Sequence, residues 1–248
     1  MTDITQIESR ENSAPHPKEF FNNQWKLYQK VLNNNYMKHR EFYGVLHEFL
    51  VSYFQKPFSL LDLGCGDASF TARALLNTMM ASYRGIDLSE PALEIARNNI
   101  EPICSDNLFI QGDLFEVVPE LVKNQKDSFD VILASFALHH LTLAQKDYIL
   151  EQLSHLLNAN GVFILIDIVR REDENREAYI KRYLDGVNKD WSLLTSQEIL
   201  MVEAHISSSD FPETQETLHL MAQKHGFIRS ETLYSDPLDT EKLLCFYA

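Results

Sequence analysis

The feature that most constrains this chain is a short apolar run leading directly into two closely spaced glycines, Leu60-Leu61-Asp62-Leu63-Gly64-Cys65-Gly66. The run is typical of a buried strand, and residues 69–80 after it have the apolar spacing of a helix. Because glycine has no β-carbon, Gly64 and Gly66 allow backbone angles and a close ligand approach that other residues block. The sequence therefore predicts a strand–loop–helix unit that holds a ligand at the carboxyl edge of a sheet.

Downstream of Pro57, short apolar runs alternate with amphipathic stretches. This alternation is typical of a parallel sheet with helices on both faces and right-handed crossovers. The predicted strands cover residues 59–63, 83–87, 108–111, 131–135 and 162–168, with two last strands near 227–234 and 242–247. The predicted helices cover residues 69–80, 90–100, 114–122, 143–157 and 212–225, and Gly161 is predicted to end the fourth of them.

Acidic side chains stand at the ends of the next two predicted strands, in Gly85-Ile86-Asp87 and Gly112-Asp113. Asp87 follows the glycine loop by about twenty residues, a position suited to accept hydrogen bonds from ribose hydroxyls. Together with the glycine loop, these tips predict a nucleoside-containing ligand. Asp67 directly follows Gly66, where its charge would repel a pyrophosphate at the helix start. The pattern therefore favours a cationic ligand over a dinucleotide such as NAD.

In this order, these segments resemble the motifs of class I S-adenosylmethionine-dependent methyltransferases of the small-molecule type. The resemblance covers residues 58–167 and the final two strands, with Ala68 standing where many relatives have another glycine. It implies an α/β, Rossmann-like seven-stranded sheet, mostly parallel with an antiparallel C-terminal strand, with helices on both faces, a helical N-terminal extension and a helical insertion. It also implies S-adenosyl-L-methionine as cofactor and S-adenosyl-L-homocysteine as product.

The resemblance also assigns roles around the cofactor. Asp62 is expected near the ammonium group, Asp87 on the ribose and Asp113 at the adenine amino group. Ser135 and Phe136 are expected to line the opening where the methyl group emerges. The full set of expected cofactor-binding residues is Asp62, Gly64, Cys65, Gly66, Asp87, Leu88, Asp113, Leu114, Ser135 and Phe136.

Two adjacent histidines, His139 and His140, follow the fourth predicted strand in a Leu-His-His-Leu string that resembles small-molecule methyltransferases of the ubiquinone-biosynthesis type. A sulfonium donor is already activated, so a base is needed only when the acceptor must lose a proton. Two interpretations stay open: a general base, for which imidazole has a suitable pKa, or a group that lines the pocket or caps the chain. These two histidines are the candidate catalytic residues.

Helical additions precede and interrupt the predicted domain of residues 57–248. Residues 1–17 are predicted to be a flexible N-terminal arm, and residues 18–56 to form N-terminal helices that act as a cap. Residues 170–210 are predicted to form a helical insertion, either a lid or a dimer arm. Aromatic residues of both additions could line a pocket or simply pack in the core: Trp25, Tyr28, Tyr36, Tyr179, Tyr183 and Trp191.

Polar groups of the insertion are further candidates. His205, with Asp210 and Glu213, could form a polar network or a metal site, but no ligand spacing stands out and no metal is predicted. A basic set could bind a carboxylate of the acceptor or form a solvated helix face, and its members are Arg176, Lys181 and Arg182.

The composition of the chain limits the kinds of partner that it is expected to bind. The net charge of −14 opposes binding to phosphate backbones, so no nucleic acid is expected. Three scattered cysteines fit a reducing compartment, and the sequence carries no apolar run typical of a signal peptide or a membrane span. We expect a cytoplasmic protein with a small-molecule acceptor, no membrane partner and a possible homodimer through the insertion.

The leading hypothesis is an enzyme that transfers a methyl group from S-adenosylmethionine to an O, N or C atom of a small molecule by in-line displacement. One alternative is an enzyme that modifies the cofactor itself, similar to carboxy-S-adenosylmethionine synthase, which would require an arginine near the sulfonium; Arg182 is the obvious candidate. Another is a non-catalytic protein that only binds S-adenosylmethionine.

Overall fold

Apolar residues occupy successive positions along the central strands, so both faces of the sheet must be covered. The computed structural model describes residues 26–124 and 128–248. The strands are β1 (Phe58–Leu63), β2 (Met80–Asp87), β3 (Asn107–Gln111), β4 (Phe129–Ser135), β5 (Leu157–Arg170), β6 (Glu213–Thr214), β7 (Arg229–Ser235) and β8 (Glu241–Tyr247). The helices are α1 (26–33), α2 (His39–Tyr53), α3 (Ser69–Leu75), α4 (Glu90–Ile100), α5 (Leu114–Asn124), α6 (Leu143–Leu156), α7 (Arg176–Asp190), α8 (Ser196–Ser209) and α9 (Gln215–Lys224).

The strand order is β3-β2-β1-β4-β5-β8-β7, and β6 pairs separately with the end of β5. Strands β1 to β5 are parallel, whereas β8 is antiparallel to both β5 and β7. The prediction of a mostly parallel sheet with an antiparallel C-terminal strand is confirmed. The two-residue strand β6 was not predicted. The chain order reverses between β1 and β4, which creates the crevice where open α/β sheets bind ligands.

Alternation along each central strand sends neighbouring side chains to opposite faces. On one face, Val131 and Leu133 of β4 join a buried cluster with α2, α3 and α4. On the other face, Ile132 and Ala134 join a second cluster with α5, α6 and α9. This three-layer arrangement leaves the carboxyl edge of the sheet free of core helices.

The helical insertion covers part of that edge. Helices α7 and α8 form a third apolar cluster with Val31 of α1 and Ile168 near the end of β5. Two buried tyrosines fasten α7 to the sheet: the Tyr179 hydroxyl donates to the Thr240 carbonyl at 3.0 Å, and the Tyr183 hydroxyl donates to Glu241 at 3.1 Å. The insertion is therefore part of the packed protein.

Two element ends differ from the predictions. Helix α3 ends at Leu75 rather than at residue 80, because Asn77 adopts a left-handed conformation and β2 begins at Met80. Gly161 does not end α6, which stops at Leu156 and passes directly into β5. The left-handed residue in that turn is Asn160, while Gly161 permits close packing, since a β-carbon there would lie 2.8 Å from the Asn158 carbonyl oxygen.

The predictions for residues 1–17 and for Trp25 lie outside the described residues. Within the described part of the chain, each helix is too short or too polar to span a membrane.

Candidate active site

The glycine loop lies between β1 and α3, at the crevice in the sheet. Gly64 and Gly66 both have left-handed backbone angles, with φ of 69° and 53°. The Gly64 amide donates to the Ile86 carbonyl of β2 at 2.8 Å, which locks the loop onto the neighbouring strand. A β-carbon on Gly64 would lie 2.8 Å from that of Ala137, whereas one on Gly66 would point into open space. Gly66 thus leaves room for a ligand beside the backbone.

Asp87 joins the loop to the end of β2. Its carboxylate accepts hydrogen bonds from the Gly66 amide at 2.8 Å and from the Ser89 amide at 2.8 Å. Burial raises its pKa, and the backbone amides oppose that rise. Each carboxylate oxygen has two lone pairs, so Asp87 can still accept from a hydroxyl of a bound ligand.

Asp62 is the second carboxylate of this region and is buried under the loop. Its Oδ2 atom accepts from the Tyr83 hydroxyl at 2.8 Å. Burial raises the pKa of Asp62 to about 6, and the nearby Asp87 carboxylate adds to the rise. Keeping Asp62 ionised at neutral pH therefore costs roughly 3 kcal/mol, at about 1.4 kcal/mol for each pKa unit. A bound cation would offset that cost.

A cavity opens beside the loop, and we call it the cofactor cavity. It is lined by the loop from Gly64 to Thr71, by Ser135 at the end of β4, and by Tyr28 and His39 of the N-terminal helices. The His39 Nδ1 atom is buried without a hydrogen-bond partner among the described residues. Cys65 lines the same cavity, and burial raises the pKa of its thiol, so it is a small buried residue rather than a reactive nucleophile.

The remaining predicted cofactor residues lie at the adjacent rim. The Gly112 amide donates to the Asp87 carbonyl at 3.0 Å, which brings the ends of β2 and β3 together. Asp113 accepts from the Phe115 amide at the start of α5, and Leu114 begins that helix. Leu88 is 68% exposed, so its side chain is free to pack against the adenine ring that the family resemblance places there. Leu88, Asp113 and Leu114 do not line the cofactor cavity itself.

A second cavity of about 290 Å³ lies under the helical insertion, and we call it the apolar cavity. Tyr28 lines both cavities, and Phe136, the neighbour of Ser135, belongs to the second. Phe136 has a left-handed φ of 51°, and its amide donates to the Ile166 carbonyl at 2.7 Å. The chain therefore turns sharply where the two cavities meet. The apolar wall includes Leu27, Val31, Met37, Ile168, Met201 and Ile206.

His139 lies at the polar end of the apolar cavity. Its Nδ1 atom is 2.5 Å from Asp167 Oδ1, and its backbone amide donates to Asp167 Oδ2 at 3.0 Å. Burial opposes protonation of His139, but the Asp167 carboxylate outweighs it and raises the pKa of the imidazole. This double contact fixes the ring and turns Nε2 toward Asp210, whose Oδ1 lies 3.7 Å away.

Two further histidines surround the same Asp210 oxygen. His140 Nδ1 lies 3.5 Å away and His205 Nε2 lies 3.9 Å away. Burial, together with the neighbouring His139, lowers the pKa of His140 to about 4, so His140 is neutral at neutral pH. Burial raises the pKa of Asp210, and its Oδ1 is buried without a hydrogen-bond partner among the described residues.

The position of Asp210 is fixed by backbone contacts. The Phe211 amide donates to the His139 carbonyl at 2.8 Å, and Arg176 donates to the carbonyls of Asp210 and Ser207 at 2.6 and 2.7 Å. Asp167 is a site residue that the sequence reasoning missed. Its signal was present, since it lies near the end of β5 on the same sheet edge as His139, but its pairing depends on the three-dimensional register.

Of the basic residues of the insertion, Arg176 holds the backbone at Asp210, and Arg182 and Lys181 are engaged away from the cavity. Arg182 forms a two-pronged contact with Glu174 at 2.6 and 2.7 Å and also donates to the Leu238 carbonyl. Lys181 pairs with Asp185 on the surface. Among the described residues, no arginine or lysine lines the apolar cavity.

Charge around the cofactor cavity fits a cationic nucleoside and opposes a phosphate. Asp62, Asp67 and Asp87 lie close together, and the groups bonded to Asp62 and Asp87 are neutral hydroxyl and amide donors. The left-handed, open Gly66 supplies the space that such a ligand needs. The donor set thus suits the sulfonium and ammonium charges of S-adenosylmethionine.

Residues 55–226 match the family described as Methyltransferase domain. The chain belongs to the class I S-adenosylmethionine-dependent methyltransferase family. It is 31% identical over 183 residues to a malonyl-acyl-carrier-protein O-methyltransferase of Halalkalibacterium halodurans, an alignment that covers 64% of this chain. The aligned region spans 65% of that relative, slightly under two thirds of its length.

One further relative and one solved structure are similar to this chain. It is 26% identical over 190 residues to the carboxy-S-adenosyl-L-methionine synthase of Campylobacter concisus, covering 75% of this chain and 76% of the relative. Its fold is similar to that of the plantazolicin methyltransferase BpumL, solved with S-adenosylhomocysteine and a triazolic desmethylplantazolicin analogue. That similarity has a TM-score of 0.59 at 19% identity and covers 89% of this chain and 90% of the other.

Proposed function

We propose that this protein transfers a methyl group from S-adenosylmethionine to an O, N or C atom of a small molecule bound in the apolar cavity. The observation that carries the proposal is the junction of the two cavities. Tyr28 lines both, and the consecutive residues Ser135 and Phe136 line one each. A reactive group held in the cofactor cavity thus has a direct path to a partner in the apolar cavity.

The cofactor would be bound by groups in and around the cofactor cavity, which has a volume of about 30 Å³. Asp87 would hold the ribose, Asp62 would face the positively charged end, and Gly66 would let the ligand contact the backbone. S-adenosylmethionine, when bound, supplies a methyl group already activated by its sulfonium, so the protein's task is mainly to position the acceptor and exclude water.

The apolar cavity indicates the class of acceptor. Its wall is mostly aliphatic and aromatic, and the described lining contains neither lysine nor arginine to bind an anionic group. Its polar end holds His139, His140 and Asp210. We therefore propose an acceptor with an apolar body and one reactive heteroatom or acidic carbon, placed against this polar end.

The cofactor-modifying alternative, similar to carboxy-S-adenosylmethionine synthase, meets an objection. It would require an arginine near the sulfonium, and the candidate, Arg182, is bound to Glu174 and to backbone carbonyls behind α7. The similarity to the Campylobacter synthase keeps this alternative worth testing. The geometry favours methyl transfer, because the apolar cavity offers no anion-binding group among its described residues.

Calorimetric titration with S-adenosylmethionine, S-adenosylhomocysteine and NAD tests the cofactor. We expect micromolar binding of the first two and none of NAD. Asp87→Ala should weaken binding about 100-fold, since it removes charged hydrogen bonds of roughly 1.5–3 kcal/mol each. Asp106→Asn, on the surface beside Arg84, is the control and should bind normally. Binding of NAD, or of no nucleoside at all, would overturn the proposal.

Mass spectrometry of reaction mixtures then separates methyl transfer from the alternatives. With a library of apolar phenols, amines and enols, we expect S-adenosylhomocysteine together with an acceptor heavier by one methyl group. A modified S-adenosylmethionine without S-adenosylhomocysteine would support the cofactor-modifying alternative. Tight binding without turnover across the library would support a binding protein.

A further inference from the structure

The polar end of the apolar cavity brings together groups that lack a partner for their lone pairs. Asp210 Oδ1 is buried, has no hydrogen-bond partner among the described residues, and is surrounded by imidazole nitrogens at 3.5, 3.7 and 3.9 Å. These distances are too long for hydrogen bonds. A buried carboxylate oxygen without a partner is costly, so a ligand bound to this oxygen would stabilise the arrangement.

Three imidazole nitrogens face this oxygen, and each is a potential ligand atom for a cation when it carries no proton. His139 Nδ1–H donates to Asp167, so in the neutral imidazole the lone pair is on Nε2, the nitrogen that faces Asp210. His140 Nδ1 lies between two oxygens, the Ser209 carbonyl at 3.2 Å and Asp210 Oδ1 at 3.5 Å. The Ser209 carbonyl can only accept, so His140 Nδ1 offers a lone pair to this group once its proton moves to Nε2 and that bond is given up. A small cation at the centre would satisfy all of these lone pairs.

We propose that His139, His140 and Asp210 bind a divalent transition metal ion of the Zn²⁺ type, with the fourth coordination position open toward the apolar cavity. Ligand atoms of these three residues lie within 4.8 Å of one another. Tetrahedral Zn²⁺ with bonds of about 2.0–2.1 Å separates its ligands by roughly 3.4 Å. The separations from Asp210, 3.5 and 3.7 Å, exceed this value by a few tenths of an ångström, so binding would draw the two histidines toward Asp210 and toward each other.

The surroundings of these groups match a metal site in two other respects. The Asp167 carboxylate orients His139, which is the usual arrangement behind a metal-bound histidine. The Phe211 amide, bonded to the His139 carbonyl, holds Asp210 beside its partner. Imidazole and carboxylate together favour Zn²⁺, Fe²⁺ or Mn²⁺ over Mg²⁺ or Ca²⁺, which prefer all-oxygen sites. His205 lies at the rim, beside the open position.

An open position at the end of the cavity also suggests what the metal does. It would bind the heteroatom of the acceptor and lower the pKa of its proton, as Lewis acids do. This role rests on the proposed function, whereas metal binding itself does not.

The experiment is titration of the full-length, chelator-treated protein with Zn²⁺, followed by the visible absorption spectrum of the Co²⁺ form. We expect one ion per chain and the intense spectrum of four-coordinate Co²⁺. Asp210→Asn and His140→Gln should each weaken Zn²⁺ binding at least 100-fold, more than is lost when a group behind a ligand is removed. His155→Gln, which removes an exposed histidine of α6, is the control and should bind as the wild type does.

Circular dichroism and S-adenosylmethionine titration accompany each variant. Because the His140 side chain is partly exposed, that variant decides the question even if Asp210→Asn does not fold. The proposal is overturned by the absence of stoichiometric Zn²⁺ binding in the wild type, or by equal binding in all variants. Neither measurement requires methyl transfer. Zn²⁺ binding without methyl transfer would count against the proposed function only, and methyl transfer without Zn²⁺ binding would count against the metal site only.

Discussion

The cofactor cavity and the apolar cavity are neighbours built in opposite ways. The first takes most of its lining from one continuous stretch, Gly64 to Thr71, whose Gly66 amide is bonded to Asp87 on the adjacent strand. The second gathers residues from Leu27 to Asp210, contributed by α1, the end of β4, β5, α7 and α8. The first is shaped mainly by glycine conformations and backbone amides, and the second is lined mainly by side chains from separate elements.

This difference shows why the cofactor is easier to recognise than the acceptor. A loop that binds through its backbone needs particular residues at fixed spacing, so a short sequence motif is enough to identify it. A cavity assembled from distant helices has no local pattern, because helical spacing serves packing and binding equally well. Four predictions challenge this contrast, from the largest expected effect to the smallest.

Gly64→Ala should nearly abolish cofactor binding. The added β-carbon meets that of Ala137 at 2.8 Å, and φ of 69° disfavours any side chain by about 1–2 kcal/mol. We expect at least a 100-fold loss of S-adenosylmethionine affinity in calorimetry. Gly44→Ala, on α2 with open space around it, should bind normally and be slightly stabilised. Normal binding by Gly64→Ala would refute the backbone-based account of the cofactor cavity.

Asp167→Asn should damage the apolar cavity only. Loss of the charge that orients His139 should lower kcat by about 100-fold, within the range for acid–base and positioning groups, with an unchanged Kd for S-adenosylmethionine. Asp147→Asn is the matched control, because Asp147 pairs with His225 away from both cavities. A weakened cofactor Kd in Asp167→Asn, with kcat intact, would contradict the separation of the two cavities.

Glu241→Gln should change how stability depends on pH. Burial raises the pKa of Glu241 to about 8, from 4.5 in an exposed chain, so the folded protein holds an extra proton between these values. The contribution of Glu241 to stability should therefore fall by about 1.4 kcal/mol per pH unit as the pH rises through this window, and level off above it. The variant should lose this slope while keeping an acceptor for Tyr183.

Urea unfolding at several pH values between about 5 and 9 measures that slope. Glu151→Gln, on the exposed face of α6, should leave the wild-type profile unchanged. If Glu241→Gln retains the full slope, the carboxyl under α7 is not the group that titrates.

Lys30→Ala should have the smallest effect. Lys30 pairs with Glu198 at 2.9 Å and links α1 to α8, but the pair is partly exposed and screened by solvent. We expect a loss of less than about 1 kcal/mol in unfolding free energy. A double-mutant cycle with Glu198→Ala isolates the pair. A coupling energy well above 1 kcal/mol would mean that the pair is not screened by solvent as its exposure predicts.

Sequence reasoning succeeded where short-range rules decide the structure. The order of strands and helices followed from apolar periodicity, and the glycine loop and Asp87 from their spacing. It failed where one residue with a left-handed backbone interrupts a helical pattern. Helix α3 ends at Leu75, just before the left-handed Asn77, although the apolar spacing continues to residue 80. The helical insertion was predicted as a segment, but its contacts were not.

The polar end of the apolar cavity was only partly predictable for the same reason. His139 and His140 were found because they follow a strand directly. Asp210 was considered only in connection with His205, because nothing local links it to residues seventy positions earlier. The bond from the Phe211 amide to the His139 carbonyl makes that link, and the β5–β6 pairing places it.

That pairing has a consequence for how the protein can change. The chain leaves the sheet at Arg170 and returns beside it, with Val169 opposite Glu213 and Arg170 opposite Thr214. Departure and return therefore share one anchoring point, and a helical hairpin of different length or composition could be spliced between them if it keeps the bonds of Tyr179 and Tyr183 to Thr240 and Glu241. Recombination, natural or engineered, could thus give the chain a new acceptor range in one step while its cofactor chemistry is inherited intact.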